Sequence, residues 1–477
     1  MARRGDEIEM DYIRNAVENI TVSNKLRVYA SIHMENIISI VELFLKNNKI
    51  LCYGGTAINN ILPAKHKFYE TLLDIPDYDF YSTNAIRDLV KLADKLHCAG
   101  FTDIEVKSSV VHDGVYKLYI KKIPVADANQ LQDDLFNIMY EDSVHYDGIS
   151  YVSPDYLRLN IYKELSAPKG DTSRWEKIYE RLLLLNKYHP FNENSKCSHL
   201  NFMRKFVADS NVLKTTYTCI RDTLIGEGVV FLGGYACNVY NSDKSVNETH
   251  VPDFDVLSMH AHSVAYRVRD ALDRAGIVNI NILHKLPLGD ARIGHHYEIS
   301  IDDVLVCTIY VPMACYGYNS ILVNDKYVNI ASIDTMMFFL LALRYVSKNK
   351  YNIDRIMCMA QFMIRMMLDK TKNKNGIFKR FDVKCYGNEK TIVELRANRT
   401  KTYNKLKHDK DSIEYNTKFF LYNPSDGIVP NYKKESHGRE KSRRKKMRTR
   451  TRTRTRKNRN YINTSIPSYG KILNNIL

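Results

Sequence analysis

Residues 52–63 read CYGGTAINNILP, and residues 75–82 read IPDYDFYS. The first stretch is the end of a short apolar strand, KILCY, running into the diglycine Gly54-Gly55, with a helix expected from near Thr56. Glycine lets the backbone approach a ligand closely, and amides at a helix start point at phosphate oxygens. In the second stretch, extended-chain alternation puts Asp77 and Asp79 on one face and Tyr78 and Phe80 on the other, toward the core. A later strand, PVADANQL (residues 124–131), carries a third acid, Asp127. Three carboxylates at one sheet edge repel unless protons or a divalent cation neutralise them. Magnesium, with manganese as the alternative, prefers such hard oxygens together with substrate phosphates. Two ions of this kind activate an attacking hydroxyl and stabilise a leaving pyrophosphate during in-line displacement at an α-phosphate. The pattern therefore predicts Asp77, Asp79 and Asp127 as catalytic metal ligands, with Gly54, Gly55 and the Thr56 hydroxyl on the nucleotide's phosphates.

The chain repeats this pattern. VVFLGGYACNVY (229–240) and VPDFDVLS (251–258) echo the two quoted stretches, and VNIASIDTM (328–336) echoes ISYVSPDYL (149–157). Three blocks in the same order at a nearly constant offset indicate a duplicated domain. In the first copy an amphipathic helix, HMENIISIVELFLKNN, precedes the diglycine strand. A second helix is expected from about Asn84 to Ala99, capped by Thr83 or Asn84 and stopped by Gly100. Two alternating strands, TDIEVKSSVV (102–111) and VYKLYIKKIPVAD (115–127), are expected to join at Asp113-Gly114, a hairpin signal. The fold class is α/β (α+β), with mixed sheets.

A diglycine turn, then D-x-D, then a third carboxylate resembles the nucleotidyltransferase superfamily that includes DNA polymerase beta. The gap from Gly55 to Asp77 is longer than usual there, and an inserted loop, PAKHKFYETLLD, accounts for it. Within the superfamily the chain looks like the poly(A) polymerase catalytic subunits of large cytoplasmic DNA viruses, of the giant-virus and asfarvirus type. CYGGTAINNILP, IPDYDFYS, PVADANQL and SPDYLRLNIYKELSAPKGDTSRWEKIYERL (153–182) carry that resemblance. It implies two tandem nucleotidyltransferase-like mixed-sheet domains with helical additions. It also implies addition of AMP from ATP to an RNA 3′ end, with Asp127 nearest the attacking oxygen, for viral mRNA polyadenylation. The host cytoplasm (the viral factory) is the implied location, with the virion as a further one. Adenylate choice rests on the resemblance alone, because nothing in spacing or charge separates ATP from CTP or UTP.

The last block has a reading of its own. Ser153 is placed as a helix N-cap with Pro154 at the first helical position. A second helix after Gly170 and Asp171 puts Trp175, Ile178 and Leu182 on one face and Arg174, Lys177 and Arg181 on another. The basic stripe of Arg174, Lys177 and Arg181 is expected to hold the triphosphate tail or the RNA backbone, and Ser153, Arg158, Lys163, Arg174 and Lys177 are the further nucleotide-binding candidates. The alternative for the charged ones is solvated surface charge paired with Glu164, Glu176 and Glu180. Trp175 reads as core.

The second copy keeps Asp253 and Asp255 but presents Cys307, Thr308 and Ile309 where the third acid belongs, with Asp302 and Asp303 too early. It is expected to be inactive, a scaffold or RNA platform. Its D-x-D leaves cation binding open.

The chain of 477 residues is 44% hydrophobic, enough to bury a sizeable core, and carries a net charge of +16. Lys433 to Arg459 hold 15 Lys and Arg against two acids, so most of the excess sits in one stretch, KSRRKKMRTRTRTRTRKNRN. Without an apolar face this tail is expected to be disordered, serving as an RNA-binding arm or as an import or solubilising tail. No run is long and apolar enough for a membrane span, and the start lacks a secretory h-region. The nine scattered cysteines, with no CxxC pair, read as reduced core thiols. The expected domains are 1–190 (catalytic), 191–345 (degenerate repeat), 346–432 (helical and mixed) and 433–477 (basic tail). ATP and an RNA 3′ end are the expected partners, no membrane is, and a homodimer is left open. Two rivals remain: a nucleotidyltransferase with another nucleotide or acceptor, and a non-catalytic RNA-binding subunit.

Overall fold

Alternating Val, Ile and aromatic residues build two mixed sheets, seen in a computed structural model that describes residues 2–69, 77–191, 197, 202–240, 251–288, 292–323, 325–346, 352–368 and 380–432. The first sheet holds β1 (Leu51–Tyr53), β2 (Tyr78–Ser82), β3 (Ile104–Ser108), β4 (Val115–Ile120), β5 (Ile123–Gln130), β6 (Val144–Tyr146) and β7 (Ile149–Tyr151). Their spatial order is β3-β4-β5-β2-β1-β7-β6. The second holds β8 (Val230–Leu232), β9 (Phe254–Leu257), β10 (Ile280–Lys285), β11 (His296–Ile301), β12 (Val304–Tyr310), β13 (Tyr316–Val323) and β14 (Lys326–Ala331), ordered β10-β11-β12-β9-β8-β14-β13. Every strand of the first sheet has its counterpart in the same place in the second. Pair directions agree as well: β5 runs parallel to β2 as β12 does to β9, β1 antiparallel to β2 as β8 to β9, and β7 parallel to β1 as β14 to β8. The sequence repeat is thus a repeat of topology.

The described α-helices are α1 (Ala2–Ser31), α2 (Met34–Lys46), α3 (Gly54–Ile61), α4 (Ala85–Cys98), α5 (Asp133–Glu141), α6 (Pro154–Leu165) and α7 (Trp175–Tyr188), then α8 (Ser210–Gly226), α9 (Gly233–Tyr240), α10 (Ala261–Arg274), α11 (Ile333–Arg344), α12 (Ile353–Leu368), α13 (Ile392–Leu406) and α14 (Ile413–Lys418). Helix α2 buries Met34, Ile37, Val41, Phe44 and Leu45, the three- and four-residue spacing of one helical face. Asn84 caps α4 by accepting from the Arg87 amide. The equivalent helices α6 and α11 pack on each other and join the copies. Arg344 at the end of α11 reaches Asp142 at 3.0 Å and also Asp155.

Two expectations change. The strand expected over 115–127 is a hairpin, because Lys121 and Lys122 take φ of 48° and 68°. Left-handed values at both residues of a two-residue turn suit the twist of the flanking strands. A Lys-Lys pair does not announce such a turn as Asn-Gly does. Asp302 and Asp303, at φ 47° and 62°, make the same turn between β11 and β12, which removes them from any site. The cysteines are not all thiols either: Cys197 pairs with Cys358 and Cys315 with Cys385. Separations of 161 and 70 residues hide both pairings from a spacing argument.

Residues 346–432 do more than follow the second copy. Cys385–Tyr386 adds an edge strand beside β13, and Leu421–Tyr422 adds one beside β3. Among the described residues, no helix is long and apolar enough to cross a membrane. The basic tail lies outside the described residues.

Candidate active site

Parallel neighbours β2 and β5 set Asp79 directly opposite Asp127, and Asp77 stands immediately before β2. One carboxylate oxygen from each of the three lies within 4.8 Å of the others. Asp127 is 6% exposed, and its Oδ1, like Oδ1 of Asp77, is buried with no hydrogen-bond partner among the described residues. Burial, followed by the charge of Asp127, raises Asp77 from 3.8 to about 6. Burial and then Asp77 and Asp127 push Asp79 well above the usual carboxylate range. Burial also raises Asp127, against the opposing pull of Lys117. Two buried, unsatisfied carboxylate oxygens in a cluster of three acids are costly without a cation, and an all-oxygen donor set fits a small hard divalent ion.

Lys117 joins the site without a motif to mark it. It lies opposite Asp127 across the β4–β5 hairpin and forms an ion pair with its Oδ2. The only sequence signal for it is the hairpin register, which the unmarked Lys121-Lys122 turn conceals.

The diglycine is shaped by its neighbours. Gly54 takes φ +79°, and a side chain there would run into the Asp79 carboxylate, whose Cγ would be 3.2 Å from the added Cβ. Helix α3 begins at Gly54, two residues before the expected start. A Cβ on Gly55 would collide with the Tyr69 hydroxyl and lie 2.8 Å from Nη1 of Arg181. The Thr56 hydroxyl donates to the Asp77 carbonyl at 2.9 Å and is buried. Its proton therefore ties the turn to the D-x-D segment, which is a positioning role and not the phosphate donation expected of it.

The other candidates divide. Arg174 pairs with Glu164 at 3.6 Å, and its charge reaches Asp79. Lys163 sits one helical turn after Asn160, whose amide donates to the Tyr81 hydroxyl at 3.5 Å; Tyr81 follows Asp79 on the same strand. Desolvation, and then the positive charge of Arg292, lowers the Lys163 pKa. Lys177 is exposed on α7. Arg158 and Ser153 belong to the interior. Arg158 is 1% exposed and donates to Asp155 at 2.8 Å, to Asn186 at 2.9 Å and to two backbone carbonyls. Ser153 accepts from the Tyr156 amide as the α6 cap and bonds the Tyr345 hydroxyl at 2.7 Å. Neither has a group left to offer a nucleotide, because helical spacing tells which residues share a face but not that this face turns inward.

The second copy repeats the frame without the third acid. Gly233 takes φ +59° against Asp255, as Gly54 does against Asp79. Arg204 bridges Asp253 and Asp255, with Nη2 2.8 Å from Oδ1 of Asp255, and Arg355 adds a bond of 3.0 Å to Asp253. Phe202 O and Met203 Sδ stand 2.9 Å from where a Gly234 Cβ would be. Guanidinium groups thus hold the place of a cation. Among the described residues, only Asp77, Asp79 and Asp127 gather three acids within metal reach.

By its fold, its three-acid site and its relatives, the chain is a nucleotidyltransferase. Residues 39–171 match the family described as the poly(A) polymerase catalytic subunit, and it is this family that the chain resembles. A protein of Acanthamoeba polyphaga mimivirus, provisionally named as a poly(A) polymerase catalytic subunit, is 22% identical over 82% of this chain and 72% of its own length. A protein of African swine fever virus with the same provisional name is 26% identical over 34% of each chain, so here the chain spans about a third of its relative. The crystal structure of the Megavirus polyadenylate synthase shares the fold, with a TM-score of 0.74 at 18% identity, covering 88% of this chain and 87% of that one.

Proposed function

We propose that the chain adds AMP from ATP to the 3′ hydroxyl of RNA with release of pyrophosphate, a poly(A) polymerase activity serving viral mRNA in the host cytoplasm. The observation that carries the reading is the cluster of Asp77, Asp79 and Asp127 within 4.8 Å, in which one buried oxygen of Asp77 and one of Asp127 have no partner among the described residues. The family resemblance supplies the nucleotide and the acceptor.

Asp77, Asp79 and Asp127 would hold magnesium, which when bound supplies Lewis-acid stabilisation of the transferring phosphate and of the attacking oxygen. The protein's own part is placement. Thr56 fixes the segment before β2 through the Asp77 carbonyl, and Gly54 lets the phosphates approach Asp79 without a side chain between them. The amides opening α3 offer donors to phosphate oxygens. Lys117 pairs with Asp127 and offsets part of the negative charge of the site. The basic tail favours a nucleic-acid acceptor over a small one.

The test incubates the purified protein with a short RNA, magnesium and each NTP separately. Extension with ATP alone supports the proposal, and equal extension with all four reduces it to a general terminal transferase. Asp77→Ala and Asp79→Ala are expected to abolish extension while RNA binding persists. Full activity in either variant removes the site.

A further inference from the structure

Arg181 on α7 is 8% exposed, yet among the described residues no carboxylate pairs with it. Glu164, which feels its charge, is paired with Arg174. The Arg181 guanidinium lies 4.8 Å from the centre of the Phe68 ring and 5.5 Å from that of Tyr69, and Nη2 donates to the Tyr69 hydroxyl at 2.9 Å. Its Nε is buried and, among the described residues, has no hydrogen-bond partner. Its Nη1 faces Gly55, in the first turn of α3.

A buried guanidinium without a directly paired carboxylate is unfavourable, and the amide end of a helix adds partial positive charge at the same spot. An anion relieves both. A role confined to pinning the segment that carries Phe68 and Tyr69 explains the ring contacts and Nη2, but leaves Nε without a partner and Nη1 against a bare backbone. The order along the turn names the anion. Gly54 abuts Asp79, whereas Gly55 abuts Arg181. Phosphates laid along the turn would have the reacting one beside the carboxylates and the terminal ones beside the guanidinium.

We infer that Arg181 is the clamp for the β- and γ-phosphates of the incoming nucleotide, using its planar fork together with the α3 amides, and so holds the pyrophosphate portion that leaves. This rests on the nucleotidyl-transfer reading above for the identity of the ligand, while phosphate binding itself can be read separately.

The experiment uses the full chain and measures by calorimetry the ATP-displaceable binding of inorganic tripolyphosphate, and separately of AMP, for the wild type, Arg181→Gln, Arg181→Lys and Tyr69→Phe. The basic tail is the same in all four proteins, so the difference between wild type and variant excludes its contribution. Tripolyphosphate affinity is expected to fall about tenfold or more in Arg181→Gln and less in Arg181→Lys. AMP binding and the Tyr69→Phe variant should stay close to wild type, and the KM for ATP should rise with the tripolyphosphate dissociation constant. Arg181→Lys keeps the charge inside the aromatic contacts, so it reports even where Arg181→Gln fails to fold. Unchanged tripolyphosphate binding in Arg181→Lys and in a folded Arg181→Gln overturns the inference. So does an equal loss in Tyr69→Phe, which points to a structural role. If the wild type extends no RNA but binds tripolyphosphate through Arg181, the functional reading fails and the clamp stands; if it extends RNA with the clamp variants binding normally, the reverse holds.

Discussion

Thr308 occupies in the second sheet the register position that Asp127 occupies in the first: Asp127 lies opposite Asp79 and Thr308 opposite Asp255, each across a parallel pair. Loss of the third acid comes with gain of a permanent cation, since Arg204 and Arg355 bind the two remaining carboxylates and Asp253 is wholly buried. Removing one partner of a buried ion pair strands the other charge. Arg204→Met is therefore expected to destabilise the protein by about 3–5 kcal/mol, and adding Asp253→Asn with Asp255→Asn should recover much of that. Chemical denaturation of the three proteins measures it. If Arg204→Met is as stable as the wild type, the arginine does not hold this D-x-D together.

The first copy has the opposite electrostatics. Asp77 at about 6 lies above its ordinary 3.8, so the folded state holds that proton more tightly than the unfolded chain does. The stability this contributes is fully present below about pH 4 and is lost as pH rises through about 6. A divalent cation binds the carboxylate form and works in the other direction. In EDTA the melting temperature should fall between pH 5 and 7, and the increment given by magnesium or manganese should be larger at pH 7 than at pH 5. Equal increments at the two pH values would mean that the ion binds elsewhere. Asp77→Asn should remove the share of the pH dependence that Asp77 contributes, leaving that of Asp79 and Asp127, whose burial also raises them.

The diglycine, the D-x-D and the third acid are legible in the sequence because each is a local signal with a chemical reason. The duplicated topology is legible because three blocks recur in order. What cannot be read there depends on contacts between distant segments. Arg158 meets Asn186 and the carbonyls of Leu185 and His189, all on or after the next helix. Ser153 meets Tyr345, 192 residues away. Lys117 escapes for a different reason: its partner follows from the register of a hairpin whose turn residues, Lys121 and Lys122, adopt left-handed φ without the usual sequence mark.

Arg158 separates a structural arginine from a substrate arginine. Burial lowers its pKa against the pull of Asp155, and its donors all go to the protein. Arg158→Ala is expected to cost about 3 kcal/mol or more in stability, because Asp155, the Asn186 side chain and two carbonyls lose their partner together. The KM for ATP, measured at a temperature where the variant is folded, should change less than roughly threefold, as for a residue without substrate contact. A large rise in KM with normal stability would return Arg158 to the nucleotide site.

The basic tail makes its prediction from charge alone. Residues to Pro430 form one compact unit, so truncation there should leave the melting temperature of the rest unchanged. Between Lys433 and Arg459 the net charge is +13, against a total of +16, so the truncated chain is close to neutral. If the tail neutralises RNA phosphates, the slope of log affinity against log salt should fall, on truncation, by about 0.7 for every phosphate of a single strand that is no longer neutralised. Binding of a single-stranded RNA, titrated at several salt concentrations with full-length and truncated protein, reads this directly. A shallower slope with unchanged extension rate at saturating RNA assigns the tail to acceptor capture. An unchanged slope means that RNA is held by the folded part, and the cationic excess then serves something other than this substrate.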